Sequence, residues 1–149
     1  MAIEIEHKYL VKNNSFVPMT SDVVNIRQGY LARDKDRTVR VRLTDNKAFV
    51  TIKGKGDGVK RPEFEYEIPF LDGEQLLALC LPTVITKTRH IVFHNDNKWE
   101  VDVYHGKLEG LITAEIEIPH EGYIYSLPPF VGENVTGNVR YSNAVLSQT

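Results

Sequence analysis

Residues 1–11 read Met-Ala-Ile-Glu-Ile-Glu-His-Lys-Tyr-Leu-Val, and their alternation of apolar and polar side chains predicts a β-strand. On a strand, Glu4, Glu6 and Lys8 share one face, and the apolar residues share the other. Two carboxylates one repeat apart can hold a divalent cation, and a neighbouring ammonium can hold the anion that the cation carries. For a single strand, a solvated sheet face is the commoner explanation. The question is therefore whether the rest of the chain repeats the pattern.

The alternation does recur, in seven later segments of the chain. These predicted strands are residues 23–31, 38–43, 48–53, 63–68, 83–93, 99–104 and 112–118. Most of them have one apolar face and one charged face. The clearest helix is predicted over residues 71–81, with Asp72 as its cap and Pro82 preventing its continuation. Short helical segments are also expected over 123–127 and 140–146, so the chain is predicted to be mainly β within an α+β class.

Two architectures satisfy such strands. In a sandwich the apolar faces meet inside, whereas in an inverted barrel they lie outside under helices and the charged faces line a lumen. Charges are sorted by sign along the strands: Arg40 with Arg42, Lys87 with Arg89, Glu63 with Glu65 and Glu67, Glu100 with Asp102, and Glu115 with Glu117. Like charges side by side repel, unless ions of opposite sign lie between them. The sorting thus supports the barrel, although the pattern alone leaves the sandwich open.

Composition limits the classes of protein to consider. The 149 residues suit one domain, 1–149, and the net charge of -2 gives no general attraction for nucleic acid or an anionic membrane. Cys80 is the only cysteine, which excludes an internal disulfide and suits a reducing compartment. No apolar run approaches the roughly 20 residues of a membrane span. We therefore expect a cytoplasmic protein with neither a nucleic-acid nor a membrane partner.

A series of motifs, in order along the chain, resembles the CYTH proteins, or triphosphate tunnel metalloenzymes. The family's N-terminal Glu-x-Glu-x-Lys stands here as Glu4-Ile5-Glu6-His7-Lys8. Later matches are Arg27-Gln28-Gly29-Tyr30-Leu31, Val39-Arg40-Val41-Arg42, Thr51-Ile52-Lys53-Gly54, Glu63-Phe64-Glu65-Tyr66-Glu67, Lys87-Thr88-Arg89, Glu100-Val101-Asp102, Ala114-Glu115-Ile116-Glu117, Gly132-Glu133-Asn134-Val135-Thr136 and Arg140-Tyr141-Ser142-Asn143. The resemblance implies a closed eight-stranded antiparallel β-barrel with a few peripheral helices.

The same resemblance implies the residues of a site. The triphosphate-binding bases would be Lys8, Arg40, Arg42, Lys53, Lys87, Arg89 and Arg140. The ligands of Mg²⁺ or Mn²⁺ would be Glu4, Glu6, Glu63, Glu65, Asp102, Glu115 and Glu117. Lys8 and Tyr30 would be catalytic, with the tyrosine assisting proton transfer. A packing tyrosine with a satisfied hydroxyl is the alternative for Tyr30.

The expected activity is hydrolysis of a small-molecule triphosphate, with inorganic tripolyphosphate giving pyrophosphate and phosphate. The motif Arg27-Gln28-Gly29-Tyr30-Leu31 resembles that of the bacterial inorganic triphosphatases. A class IV-type adenylate cyclase, a thiamine triphosphatase and a non-catalytic polyphosphate or nucleotide-binding module are the alternatives. Members of the family often pair, so a homodimer is a further expectation.

Overall fold

The computed structural model describes residues 3–148, so Met1, Ala2 and Thr149, the ends of the predicted domain, lie outside the described residues. The strands within this part are β1 (Ile3–Val11), β2 (Thr20–Arg33), β3 (Arg37–Leu43), β4 (Ala48–Gly54), β5 (Lys60–Ile68), β6 (Leu81–His94), β7 (Asn97–Tyr104), β8 (Ile112–Glu117) and β9 (Val131–Asn134). The helices are α1 (Phe70–Ala78) and α2 (Asn143–Leu146), with 3-10 turns at Val17–Met19, Gly106–Leu108 and Val139–Tyr141. None of the helices described here combines the length and the apolarity that crossing a membrane would require.

Eight of the strands close on themselves. They run in the order β5-β4-β3-β2-β6-β7-β8-β1, and β1 returns to pair with β5. Every pairing is antiparallel, and the closing register sets Glu4 opposite Arg61. The short strand β9, absent from the prediction, pairs with the last part of β1. The expected closed eight-stranded antiparallel barrel is therefore confirmed, and the sandwich is excluded.

Two clusters of apolar residues lie on the outside of the barrel. One cluster, Val41, Leu43 and Ala48, is covered by Leu76 and Leu77 of α1. The larger cluster lies on the outer faces of β1, β7 and β8 and includes Tyr9, Trp99, Val101, Ala114 and Ile116. An irregular segment, residues 118–130, covers this second cluster. The barrel therefore keeps its inner face for the charged residues.

The short helix predicted over residues 123–127 is wrong. Tyr123 and Tyr125 pack against the outer cluster, whereas Ile124 between them is 92% exposed. Such alternation is that of an extended chain. Pro128 and Pro129 follow, and a proline disfavours the helical conformation for the residue before it. Two tyrosines on one side of an extended segment cover more of the apolar surface than one helical turn would.

The main helix is shorter than predicted at its C-terminal end. It spans Phe70–Ala78 instead of 71–81, Pro69 occupies the cap position predicted for Asp72, and Leu81 already belongs to β6. Leu81 precedes Pro82, which biases it towards the extended conformation. Gly73 lies where an added Cβ would collide with the side chain of Ala48, so glycine allows α1 to approach the sheet closely.

Candidate active site

Strand alternation and antiparallel register bring the predicted charged residues together inside the barrel. Residues two apart on a strand share a face, so Glu4, Glu6 and Lys8 of β1 all face the lumen. Register then sets bases and acids of neighbouring strands opposite one another: Lys8 with Glu115, Lys53 with Glu63, and Arg89 with Asp102. Charged residues of seven barrel strands thus line the lumen, and β2 contributes the neutral Gln28, which contacts Arg42.

The most buried charge cluster consists of Asp102, Lys87 and Arg89. Asp102 accepts hydrogen bonds from Nε and Nη2 of Arg89 at 2.8 and 2.9 Å, and Lys87 Nζ lies 2.7 Å from its Oδ2 as an ion pair. Burial opposes the negative charge, but Arg89 and Lys87 outweigh it and hold the pKa of Asp102 far below its usual range. Burial lowers the pKa of Lys87 to about 7, since Arg89 and Arg42 add repulsion that Asp102 only partly offsets. Two bases share one buried acid, which leaves the cluster able to accept an anion.

Arg42 and Arg40 form a second basic group on β3. Arg42 donates from Nε to Oε1 of Gln28 at 2.9 Å and has no carboxylate in ion-pair contact within residues 3–148. Burial, then Arg40 and Arg89, lower the pKa of Arg42 to about 9. Arg40 contacts Thr51 at 3.2 Å and Glu65 at 3.6 Å, and its Nε has no hydrogen-bond partner. Crowded guanidinium groups of this kind suit the oxygens of a polyphosphate.

Lys8 lies near two carboxyl groups, those of Glu115 and Glu6. Its Nζ lies 3.5 Å from Oε1 of Glu115 and donates to the backbone carbonyl of Tyr141 at 2.9 Å. Burial disfavours the ammonium, but Glu115 and Glu6 outweigh it, so the pKa of Lys8 is raised. Burial, together with Glu115 and Glu4, raises the pKa of Glu6 to about 8. Glu6 therefore remains protonated at neutral pH in the absence of an added cation.

A fourth group closes the seam between β1 and β5. Lys53 donates to both carboxylate oxygens of Glu4, at 2.9 and 3.0 Å, and lies 3.3 Å from Glu63. Arg61 Nε contacts the same Glu4 at 3.3 Å. Burial and the neighbouring Glu4 raise the pKa of Glu63 to about 7. Two acids again compete for the same base, which marks a second position where added positive charge would be stabilising.

The acids suit a hard divalent cation, although they do not form a finished cage. Within residues 3–148, no three Asp, Glu, His or Cys side chains converge as a metal site. Glu115 Oε1 is nevertheless buried and accepts no hydrogen bond, and Glu6 lies opposite Glu117 in the β1–β8 register. Burial and neighbouring acids raise the pKa of Glu117 as well. Carboxylate oxygens held close together despite burial and mutual repulsion fit the ligand chemistry of Mg²⁺ or Mn²⁺.

Two other predicted residues differ in their placement. Tyr30 is buried, 4% exposed, and its phenol is among the groups that raise the pKa of Lys8, so it lies near this lysine as expected. Arg140 is not brought into the lumen: it is exposed, and its guanidinium lies 5.6 Å from the ring centroid of Tyr141. Its predicted contact with phosphate stays a prediction.

Several polar residues of the site were missed in the sequence. Gln28 is fully buried opposite Arg42, Thr51 accepts from Arg40, and Arg61 contacts Glu4. The strand alternation could have identified them, because each lies two or four residues from a predicted site residue on the same strand and therefore shares its face. The Tyr104 hydroxyl donates to Oδ1 of Asn143 at 2.8 Å, so the C-terminal segment packs against the lumen.

Comparison with known proteins agrees with this geometry. The model of the CYTH domain matches residues 2–144. The chain is 41% identical to the inorganic triphosphatase of Acetivibrio thermocellus over 98% of this chain and 94% of that protein. It is 34% identical to the inorganic triphosphatase of Nitrosomonas europaea over 97% of this chain and 96% of the relative.

Solved structures show the same fold. The crystal structure of an inorganic triphosphatase superposes with a TM-score of 0.68 at 30% identity, covering 100% of this chain and 97% of the other. A Hippeastrum protein described as having a dominant triphosphatase activity gives 0.63 at 15% identity, with 78% and 80% of the two chains covered, and shows the fold alone. The match along the chain, the closed barrel and the sorted charges inside it place this protein in the CYTH domain family.

Proposed function

We propose that this chain is a divalent-metal-dependent hydrolase that converts inorganic tripolyphosphate to pyrophosphate and phosphate inside the barrel, which acts as one domain. The observation that carries the proposal is the group of guanidinium groups around Arg42. Arg40 and Arg89 lie close enough to lower the pKa of Arg42, and no carboxylate neutralises Arg42 within the described residues. A flexible chain of phosphates, with several negative charges and no apolar part, matches such a surface. The two curated relatives carry the same activity in their names.

The bases divide into two kinds of phosphate contact. Arg40, Arg42 and Arg89 offer planar forks that bind two phosphate oxygens at once, whereas Lys8, Lys53 and Lys87 offer compact charges. Because these groups are already held in place and shielded from bulk water, they stabilise the charge that develops on the transferred phosphoryl group. Lys8 and Tyr30 are assigned to the reacting phosphate, with the tyrosine hydroxyl passing a proton.

Glu6, Glu115 and Glu117 would hold the divalent cation, Mg²⁺ or Mn²⁺. When bound, the cation supplies positive charge to the phosphoryl oxygens and orients the attacking water. The other predicted ligands, Glu4, Glu63, Glu65 and Asp102, contact bases in the structure. They would hold these bases in position for the triphosphate, and they stay predicted ligands of the metal.

The experiment measures phosphate release from tripolyphosphate, ATP and thiamine triphosphate, each with Mg²⁺ and with Mn²⁺, and monitors cyclic AMP. We expect fast release from tripolyphosphate and slow use of the two organic substrates. Cyclic AMP with pyrophosphate would replace the proposal with a cyclase, and a preference for thiamine triphosphate would replace it with that activity. Tight binding of tripolyphosphate without turnover would leave a binding module.

Two variants connect the activity to the lumen. Lys8→Ala and Glu117→Ala should each lower kcat/KM for tripolyphosphate by about 100-fold or more, since each removes a charge that acts on the reacting phosphate. Lys107→Ala and Glu109→Ala make the same changes at exposed positions outside the barrel and should leave the rate unchanged. Full turnover in either lumen variant would refute the assignment.

The homodimer, the cytoplasmic location and the lack of a nucleic-acid partner stay predictions. Light scattering of the purified chain measures the oligomeric state directly. A mass of about 17.0 kDa in solution would exclude the dimer.

A further inference from the structure

Gln28 contacts Arg42 through its side-chain oxygen, while the amide nitrogen of the same side chain makes no hydrogen bond among the described residues. The two residues lie opposite each other in the β2–β3 register, and Arg42 Nε donates to Gln28 Oε1 at 2.9 Å. Because Nε of a guanidinium can only donate, the carboxamide must turn its oxygen towards Arg42. Its Nε2 is then left fully buried and without a hydrogen-bond partner among the described residues.

Arg42 is also the exception among the bases that face the lumen. Each of the others contacts a carboxylate: Lys8 with Glu115 at 3.5 Å, Arg40 with Glu65 at 3.6 Å, Lys53 with Glu4 at 2.9 Å, Lys87 with Asp102 at 2.7 Å and Arg89 with Asp102 at 2.8 Å. A carboxylate both fixes a base and cancels its charge. A carboxamide fixes the base and leaves its charge intact. The guanidinium of Arg42 thus keeps more of its attraction for an anion than a base in direct contact with a carboxylate does.

The buried Nε2 of Gln28 points to the same ligand. A buried donor without an acceptor is destabilising, so such groups are uncommon unless an acceptor arrives from elsewhere. Nε2 belongs to the amide that holds Arg42, and therefore lies within a few ångströms of the position where Arg42 would bind an oxygen. A phosphate oxygen bound there could accept from the guanidinium and from the amide together.

We propose that Gln28 is a positioning residue for Arg42 and a neutral hydrogen-bond donor to the same phosphate group of the bound triphosphate. This inference rests on the proposed function, because it takes tripolyphosphate as the ligand. The carboxamide fixes the guanidinium through its oxygen and contributes its own N–H to the substrate. An acid of the same shape would fix the guanidinium equally well, but it would remove the charge and repel the phosphate.

Two substitutions separate these effects. Gln28→Glu keeps the shape and adds a negative charge beside Arg42, so KM for tripolyphosphate should rise about tenfold or more, with kcat changed less. Gln28→Met keeps the approximate volume and removes both hydrogen-bonding groups, so kcat/KM should fall about tenfold. Gln75→Glu is the matched control, since Gln75 is exposed on α1 outside the barrel and the chemical change is identical. Thermal unfolding confirms that each variant is folded.

A double-mutant cycle tests whether Gln28 acts through Arg42. In an Arg42→Ala background, Gln28→Met should lower kcat/KM by clearly less than the about tenfold loss in the wild-type background, because the positioning role is gone and only the amide's own contact with the phosphate remains to be lost. Wild-type rates in both Gln28 variants, or losses that multiply fully with that of Arg42→Ala, would overturn the proposal.

Calorimetric titration with tripolyphosphate, without divalent cation, distinguishes this inference from the proposed function. If the wild-type protein binds tripolyphosphate in this titration but releases no phosphate from it when Mg²⁺ or Mn²⁺ is added, the proposed hydrolysis fails. A Kd raised about tenfold by Gln28→Glu and not by Gln75→Glu would then still support the role of Gln28. An unchanged Kd in Gln28→Glu, or no binding by the wild-type protein, would refute it.

Discussion

Asp102→Asn should be strongly destabilising, and more so at low pH. Asp102 is 1% exposed and is the shared partner of Lys87 at 2.7 Å and of Arg89 at 2.8 and 2.9 Å. The amide keeps the size of the side chain and can still accept a hydrogen bond, but it carries no charge. Two buried cations are then left beside each other, and among residues 3–148 Glu100, 3.1 Å from Arg89, is the carboxylate that remains in ion-pair contact with them.

The magnitude follows from what each cation can do. Breaking a buried ion pair by removing one partner costs about 3–5 kcal/mol. The pKa of Lys87 is already lowered to about 7 by burial, so at pH 8 this lysine is mostly neutral in the folded protein and adds little to the loss. Arg89 cannot deprotonate but keeps Glu100 as a partner. We therefore expect a loss of about 2–3 kcal/mol at pH 8, out of the 5–15 kcal/mol typical of the unfolding free energy of a domain.

Lower pH should increase the loss. Without Asp102 the pKa of Lys87 in the folded protein falls below its wild-type value of about 7. At a pH between these two pKa values, the wild-type lysine is protonated in both the folded and the unfolded protein. The lysine of the variant is protonated there only in the unfolded protein. Proton binding to the unfolded state lowers stability by about 1.4 kcal/mol per pH unit. From pH 7 to 5.5 the difference between the proteins should thus grow by up to about 2 kcal/mol.

Denaturant unfolding of wild type and variant at pH 8 and pH 5.5 measures the loss of unfolding free energy at pH 8 and its increase at low pH. In a thermal unfolding scan at pH 8, the melting temperature of the variant should be lower by about 4–12 °C. Glu74→Gln is the control, because it breaks the ion pair of Glu74 with Arg27 on the exposed surface and should cost less than about 1 kcal/mol. A loss below about 1 kcal/mol for Asp102→Asn at both pH values would show that the cations do not depend on this carboxylate.

Three further predictions concern the protons and the outer surface. Burial raises the pKa of Glu6 to about 8, above its value in the unfolded chain, so the folded state binds the extra proton. The unfolding free energy, measured in the presence of a chelator, should therefore fall as pH rises from about 5 to 8. Glu6→Gln should flatten this slope, and added Mg²⁺ should stabilise the wild-type protein more at pH 8 than at pH 5.5. Tyr30→Phe should lower kcat about tenfold or more at unchanged Kd for tripolyphosphate, and a full rate would remove the hydroxyl from proton transfer. Tyr125→Phe should cost about 1–2 kcal/mol in denaturant unfolding at unchanged kcat, because its hydroxyl bonds His7 and Tyr9, each at 2.6 Å, outside the barrel; a change in kcat would contradict this separation.

Local alternation explains why most of the lumen could be predicted. A strand has a side-chain period of two, so Glu4, Glu6 and Lys8 had to share a face, and so did Arg40 and Arg42, whatever the strands did afterwards. The ends of elements were harder, because they depend on what covers them. Residues 123–127 have a short helical pattern, but the outer cluster around Trp99 is covered better by an extended chain with two inward tyrosines.

The partners of the charges could not be read from the sequence. Arg89 and Asp102 are 13 positions apart, and Lys53 and Glu4 are 49 apart. Only the register of β6 with β7, and the closure of β5 onto β1, bring these groups into contact. The register of β2 with β3 places Gln28 opposite Arg42, and Arg140 is exposed outside the lumen.

The amino-acid sequence alone determined the strands, the face of each strand that carries charge and the sorting of those charges by sign, because these properties arise from side chains two residues apart. Whether the charged faces meet water or each other was decided by closure of the barrel, since that requires β5 to pair with β1 across more than 50 residues of chain. The registers of neighbouring strands, together with closure at Glu4, determine which acids neutralise which bases. The β2–β3 register leaves Arg42 with a neutral partner, Gln28, and this difference is the basis of the proposed contact with a polyphosphate.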